Sequence, residues 1–487
     1  MIKFENVSFN YKSKYEKNGI KDIDFTINKG ELLLFCGESG CGKTTIMRII
    51  NGLIPHYYEG ELSGNVTIDG KELKTSSLSD IAKSVGSVFQ NPRTQFFNVD
   101  TTSELAFGCE NLAVLPNIIE ERIAKTVKEL EITDLVGRSI FKLSGGEKQK
   151  VACASVSVLN SEIVVLDEPS SNLDLIAIAE LKEVLKRWKN EGKTIIVAEH
   201  RLYYLTELVD RVFYMKKGFI NKIFSGDEFK KLKTKQLNDM GLRISKLKDI
   251  KYQSTLDTEK QEKLILKDAV YSYEKKQTLN IPLCEIPQNE IIAVVGYNGA
   301  GKTTFARCLC GLLKERKSRL ISGQKSFKSK QRIEKSYMVM QDVNHQLFAE
   351  SVIDEVLLGM EIPDKSIAKN YLEELDLLQM KDRHPMSLSG GEKQRLAVAG
   401  SLSSEKEFLI FDEPTSGLDL RHMKEVSAIL KELKEKGKTI FVITHDLELL
   451  ADCCNYVLHI MSGEVYGEYF LDNIGHKKLF KTFVDRL

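Results

Sequence analysis

No run of apolar residues in this 487-residue chain approaches the roughly 20 that a membrane-spanning helix needs. Any service to a membrane is therefore expected from the water side. An excess of one charge is missing as well. With 70 Lys and Arg against 69 Asp and Glu, the net charge of +1 gives no electrostatic reason to expect a nucleic-acid partner. Nine cysteines, at positions 36, 41, 109, 153, 284, 308, 310, 453 and 454, include no C-x-x-C pair, which leaves zinc ribbons and redox dithiols without support. Their odd number in a long chain reads as reduced thiols. The first residues, MIKFENVSF, read as a strand and lack the basic-then-apolar layout of a signal peptide. Trp188 is the one tryptophan, expected to pack on a helix.

What the chain does have is length and repetition. It exceeds one ordinary hydrophobic core, so two or three domains are expected. Apolar residues at 42% and charged residues at 29% describe a globular composition. LSGGEKQK at 143–150 returns as LSGGEKQR at 388–395. GESGCGKT from Gly37 and GYNGAGKT from Gly296 both fit the phosphate-loop pattern G-x-x-x-x-G-K-[ST]. Each follows a short apolar run, LLLFC or IIAVV, and precedes a helix-like segment. In that strand–turn–helix setting, backbone N–H groups point at phosphate oxygens and the helix dipole favours negative charge.

The companions of these motifs keep their order. EIVVLDEPS ends a strand-like run with Asp167 and Glu168, and EFLIFDEPT does so with Asp412 and Glu413, 245 residues later. His200 in TIIVAEH and His445 in TIFVITH keep the same offset. Upstream the offset drifts, to 251 between Gln90 and Gln341 and to 259 between Lys43 and Lys302. That is a duplication followed by trimming, in units too large for a solenoid repeat. Buried-strand runs rich in Val, Ile, Leu and Phe alternate with helical segments such as ELKEVLKRWKNEGK, so the fold class is α/β. The expected layout is one domain over residues 1–235, a linker over 236–263 and a second domain over 264–487. Much of that linker is the polar stretch SKLKDIKYQSTLDTEKQEK, which reads as a tether.

Phosphate loop, glutamine, LSGG, Asp-Glu strand end and late histidine together resemble the ATP-binding-cassette (ABC) ATPases, twice over and across nearly the whole chain. The resemblance implies two P-loop ABC ATPase domains in tandem, packed head to tail and paired within one chain. LSGG of each would then close over ATP held by the phosphate loop of the other. ATP on Gly37, Glu38, Ser39, Gly40, Cys41, Gly42, Lys43, Thr44 and Thr45 would meet Ser389, Gly390 and Gly391. ATP on Gly296, Tyr297, Asn298, Gly299, Ala300, Gly301, Lys302, Thr303 and Thr304 would meet Ser144, Gly145 and Gly146. The family's roles carry over residue by residue. Lys43 and Lys302 neutralise phosphate charge, and Thr44, Thr303, Asp167 and Asp412 hold Mg²⁺. Glu168 and Glu413 are general bases, while His200 and His445 contact the γ-phosphate and orient them. Gln90 and Gln341 reach the metal and the attacking water. Tyr11 and Tyr273 would stack on adenine, and Cys41 reads as a tolerated small side chain.

Two departures stand out: Lys150 faces Arg395 in the alignment, and Asn172 replaces Gly417. Neither removes a catalytic group, so both sites are expected to hydrolyse ATP. VFQNPRTQFF, VMQDVNHQLF and NGLIPHYYEGELSGNVTIDG further resemble the fused ATPase subunits of energy-coupling-factor importers of vitamins and other micronutrients. There, Phe96, Phe97, Leu347 and Phe348 would receive a helix from a transmembrane scaffold subunit, or else pack in the core. A separate membrane subunit would bind the substrate, and the chain would sit peripherally on the cytoplasmic face of the cell membrane as part of a translocase. Three other readings stay open: the tandem ATPase of a sugar importer, and non-transport ABC ATPases acting on ribosomes or on DNA.

Overall fold

A computed structural model describes residues 1–12, 19–252, 262–273, 276–313 and 317–483. The chain forms two compact units, Met1–Asp249 and Ile250–Leu487, and each repeats the same plan. In the first unit, a six-stranded sheet runs in the order Phe219–Ser225, Arg211–Lys216, Leu32–Cys36, Thr194–Ala198, Ile163–Asp167 and Val85–Val88. Its pairings are parallel except for the antiparallel edge strand Phe219–Ser225. A second, antiparallel sheet runs Ile20–Ile27, Ile2–Tyr11, Gly60–Ile68 and Lys71–Glu72.

The run LLLFC shows why the parallel strands lack polar residues. Leu33 and Phe35 face a core shared with the antiparallel sheet, around Phe4, Phe25 and Phe213. Leu32, Leu34 and Cys36 face the opposite core, against Leu181, Leu185 and Trp188 of helix Leu175–Asn190. A strand buried on both sides has no solvent face for polar side chains to occupy. Trp188 is buried and its Nε1 donates to Ser157 Oγ at 3.0 Å. A smaller core of Leu105, Cys109, Ile119, Val151 and their neighbours joins three helices, Thr101–Asn111, Pro116–Glu129 and Gly145–Leu159. All nine cysteines are free and buried.

The second unit orders its six strands Ser336–Val339, Phe408–Asp412, Thr439–Ile443, Ile291–Val295, Tyr456–Met461 and Glu464–Phe470, beside an antiparallel sheet of Lys276–Pro287, Lys263–Tyr273, Arg319–Ser322 and Lys325–Phe327. In both units the strand before the phosphate loop lies at the centre of its sheet. Loop and helix therefore rise from the carboxyl ends of parallel strands, where ligands bind in open α/β sheets.

Part of the expected linker is folded. Helix Thr234–Asp239 and the turn after it bury Leu237 and Leu242 in the core of the first unit, and the Tyr214 hydroxyl donates to the Met240 carbonyl at 2.8 Å. Residues 236–249 thus belong to that unit. Their polar composition hid two core leucines spaced five apart. The tether's residues 253–261 lie outside the described residues.

Candidate functional site

Each phosphate loop is held open by backbone geometry that side chains resist. Gly37, Gly40 and Gly42 adopt φ of 151°, 74° and 105°, and Gly296, Gly299 and Gly301 repeat this at 150°, 78° and 102°. A Cβ on Gly37 would sit 2.3 Å from the Met215 carbonyl oxygen, so glycine is required there by close approach as well. Helices Lys43–Ile50 and Lys302–Leu309 follow. Lys43 is buried, and its Nζ donates to the carbonyls of Gly37 at 3.0 Å and Glu38 at 3.1 Å. Lys302 does the same to Gly296 at 2.7 Å and Tyr297 at 3.0 Å. Carbonyl bonds of this kind hold each ammonium inside its loop. Burial pushes the Cys41 thiol up despite the opposing pull of Lys43, which disfavours a reactive thiolate in the loop.

The carboxylates arrive at the ends of strands Ile163–Asp167 and Phe408–Asp412. Thr44 Oγ1 donates to Asp167 at 3.3 Å, and Thr303 Oγ1 to Asp412 at 2.8 Å. Glu168 and Glu413 then turn the chain at φ of 45° and 54°, a costly region for a non-glycine residue. Both turns are pinned by backbone bonds, Glu168 N–H to the Ala198 carbonyl at 2.8 Å and Glu413 N–H to that of Ile443 at 2.9 Å.

In the first unit, His200 Nε2 lies 3.2 Å from Glu168 Oε1 and 3.3 Å from Lys43 Nζ. That nitrogen can donate to the carboxylate or accept from the ammonium, so its protonation chooses between them. Gln90 Nε2 completes the group with a 2.7 Å bond to Glu168 Oε2. The second unit is looser. His445 Nε2 stands 3.6 Å from Glu413 Oε1, and among the described residues Gln341 makes no matching bond to Glu413. Gln394 Nε2 instead reaches the Glu413 carbonyl at 3.3 Å.

Around each histidine the wiring diverges, at residues that motif reading missed. Glu199 is buried, and its carboxylate accepts from the N–H groups of Ser170, His200 and Arg201 and from the Tyr204 hydroxyl, at 2.7–3.2 Å. Arg201 Nη1 donates to the carbonyls of Ser170 and Leu173, both at 3.2 Å. The matching positions are Thr444 and Asp446. There Thr444 Oγ1 accepts from Asp446 N–H at 3.0 Å, and Asp446 accepts from Thr415 Oγ1 at 2.9 Å. The Ala-Glu-His-Arg and Ile-Thr-His-Asp contexts were the available signal.

The signature stretches open helices Gly145–Leu159 and Gly390–Ser403, capped by Ser144 with Glu147 and by Ser389 with Glu392. Ser144, Gly145, Ser389 and Gly390 are exposed, while Gly146 is buried and Gly391 half-buried. Free N–H groups at such a helix start suit an anion. Gly417 takes φ of 70°, whereas Asn172 is not among the residues of positive φ, so this substitution reshapes the turn after the acidic pair.

Tyr11 is half-buried, its hydroxyl 3.1 Å from Thr45 Oγ1 and 2.9 Å from Arg48 Nη1. The Arg48 guanidinium also lies 4.0 Å over the Tyr58 ring. Tyr273 is exposed, with Tyr271 edge-on at 5.0 Å. The four candidate coupling residues separate into two classes. Phe97 and Phe348 are 75% and 79% exposed, but Leu347 is buried and Phe96 packs on two cores. Leu347, and Phe96 in part, support their loops from within. Glu104 holds the first loop by accepting from Phe97 and Asn98 N–H at 3.0 and 2.9 Å. Glu355 holds the second through Phe348 and Ala349 N–H, both at 2.8 Å.

Hydroxyl and carboxylate oxygens are hard donors that suit Mg²⁺. Among the described residues no cluster of three or more His, Cys, Asp or Glu gathers to hold a metal. The pairs Thr44–Asp167 and Thr303–Asp412 therefore fit an ion that takes its remaining ligands from phosphate and water. Burial and the neighbouring Glu168 carboxylate raise Asp167 to about 7; burial also raises Asp412. An acidic pair held against its own repulsion gains from a cation.

The sequence model of the ABC transporter family matches residues 20–171 and 279–416. A relative in Treponema denticola, provisionally named an ABC transporter ATP-binding protein, is 47% identical over 476 residues and covers 96% of this chain and 97% of its own. A second protein of the same name and organism is 39% identical over 495 residues, covering 100% of both chains. The solved structure of an archaeal ribosome recycling factor, in complex with a ribosomal stalk protein, aligns with 98% of this chain and 92% of its own at a TM-score of 0.65 and 22% identity. That likeness is one of fold.

Proposed function

This chain belongs to the ABC transporter family as a tandem ABC ATPase, and from that premise we propose that it is the ATP-hydrolysing motor of a membrane importer. Its cargo would be a vitamin-like or micronutrient compound, carried through separate transmembrane subunits. The observation that carries this reading is the matched pair of exposed phenylalanines. Phe97 and Phe348 stand on loops that directly follow the two glutamines, and each loop is braced by a carboxylate, Glu104 or Glu355. An exposed aromatic on a braced loop suits a helix from a membrane partner. Among the described residues no helix is long and apolar enough to cross a membrane, so the membrane parts would lie on other chains. The fold shared with the ribosome recycling factor brings no ribosomal role at 22% identity.

In this reading, ATP on each phosphate loop is covered by the signature stretch of the other unit. Lys43 and Lys302 turn from the loop carbonyls to the phosphates. Glu168 and Glu413 accept the proton of the attacking water. His200 and His445 hold those carboxylates in line, and Gln90 withdraws from Glu168 to face the γ-phosphate side. Tyr11 and Tyr273 offer their rings to adenine. Mg²⁺ held by Thr44 with Asp167, and by Thr303 with Asp412, would neutralise charge on the phosphate oxygens, with Gln90 and Gln341 in reach. Phosphate release lets the units part, and the glutamine loops pass that motion to the membrane helices.

The test is affinity capture of the chain from detergent-solubilised native membranes, with mass spectrometry of what comes along. A polytopic scaffold with one or more small membrane binders is the expected result, weakened by Phe97→Ser together with Phe348→Ser. Ribosomal or DNA-repair proteins without an integral membrane partner would overturn the importer reading.

A further inference from the structure

The aligned pair Lys150 and Arg395 places two different structures behind two identical signature turns. Arg395 is buried, and its Nε donates to the Leu375 carbonyl at 2.9 Å. Leu375 ends helix Lys365–Glu374, where carbonyls lack helical partners and a cation is favoured. The same guanidinium lies alongside Gly391, one helical turn back, where an added Cβ would come within 3.8 Å of its Nη1. Arg395 thus ties the signature helix, one turn past Gly391, to the end of a neighbouring helix.

In the first unit the matching helix end is Leu130, closing helix Pro116–Glu129. Lys150 turns away from it and pairs with Glu180 Oε1 at 2.8 Å, on a different helix. A cleft of about 450 Å³ opens there, lined by Leu130, Gly146, Lys150 and Glu180 among others. Two ion pairs between partly exposed side chains lie nearby, Arg187 with Glu129 at 3.9 Å and Arg138 with the capping Glu147 at 2.9 Å, and exposed pairs contribute little. The matching glutamate of the second unit, Glu425, pairs with Arg421 at 2.9 Å, and Arg395 bonds the helix end instead.

We propose that Arg395 is a positioning residue that latches the second signature helix to its helical neighbour, and that Lys150 leaves the first signature helix without that latch, so that the two ATP sites turn over unequally. The consequence for turnover rests on the proposed crossing of signatures between units; the latch does not. With Arg395 in place, the second signature is pre-set for the ATP on Lys43. The first signature must be ordered before it serves the ATP on Lys302, which slows that site.

Hydrogen exchange on the nucleotide-free full chain tests the latch. LSGGEKQ is identical in both copies, so intrinsic exchange chemistry cancels between them. Amides at 145–149 should exchange about tenfold faster than those at 390–394, the effect of one charge-assisted hydrogen bond. Lys150→Arg should slow the first set and Arg395→Lys should speed the second, with the phosphate-loop peptides unmoved. Equal protection in the natural chain, or swaps that move neither signature, would overturn the latch.

Turnover then reads the role. In a Glu413→Gln background, where the Lys43 site alone keeps its base, Arg395→Lys should lower kcat several-fold, about as one such bond allows, without changing ATP affinity. In a Glu168→Gln background it should not, and there Lys150→Arg should raise kcat. An equal loss in both backgrounds would mark a merely structural residue and overturn the positioning role. Should the exchange result hold while the affected site is the one on the same unit, the latch stands and the crossing of signatures falls.

Discussion

The two catalytic ends carry the same residues in different company. In the first unit His200, Glu168, Lys43 and Gln90 lie within 2.7–3.3 Å of one another in sequence of contact. In the second, His445 stands 3.6 Å from Glu413, and Gln394 bonds the Glu413 backbone. Behind the histidines, a buried glutamate with four donors faces a threonine and an aspartate that bond through side chains. Duplication preserved the groups proposed to touch ATP and let their supports drift. What a site does is set by its atoms; how tightly it is held is set by neighbours that carry no motif.

The largest effect should come from the groups in which the units agree. Changing both Glu168→Gln and Glu413→Gln removes both proposed bases and should lower phosphate release by about 10²–10⁴-fold. Full turnover in that protein would dismiss these carboxylates. Next come the supports in which they differ. Glu199→Ala strands three N–H groups and a hydroxyl in a buried place, a loss of about 2–4 kcal/mol by denaturant unfolding. Thr444→Ala should cost about 1 kcal/mol, and the reverse order would remove the claimed difference.

The post-glutamine loops offer a similar contrast within one unit. Leu347→Ala creates a cavity and should cost about 2–4 kcal/mol. Phe348→Ala, on an exposed ring, should stay within about 0.5 kcal/mol while weakening capture of the membrane partner.

The smallest effect is a proton. Burial and the neighbouring Glu168 carboxylate raise Asp167 to about 7 in the folded chain, against its ordinary value of 3.8 once the chain unfolds. The native state therefore binds more protons across that window, and its contribution to stability falls as pH rises through it. Mg²⁺ must displace the proton, so affinity at the first site should climb with pH and level off above about 7. Calorimetry in two buffers of different ionisation enthalpy should show proton release, absent in Asp167→Asn.

Much of this was legible because phosphate chemistry constrains residues locally. The glycines at positive φ, the lysine after them and the strand-end Asp-Glu pair must sit at fixed spacings, and the 245-residue offset exposed the duplication. The central strands were readable for a related reason, since burial on both faces leaves only apolar residues. Long-range choices were not legible. Nothing in LSGGEKQK reveals that Lys150 turns to Glu180 while Arg395 finds a helix end. The adjacent pairs FF and LF gave no sign that the first member packs inward and the second outward. Leu237 and Leu242 fell in the expected linker because their burial depends on a core assembled from strands far away in sequence.

The central claim is that both units hold complete ATP sites despite their different supports. Counting γ-labelled ATP retained per chain by the Glu168→Gln, Glu413→Gln protein after rapid gel filtration tests it most directly. Two molecules per chain is the predicted result. One per chain would show that one unit's divergence has cost it the nucleotide, and the claim of two complete sites would be wrong.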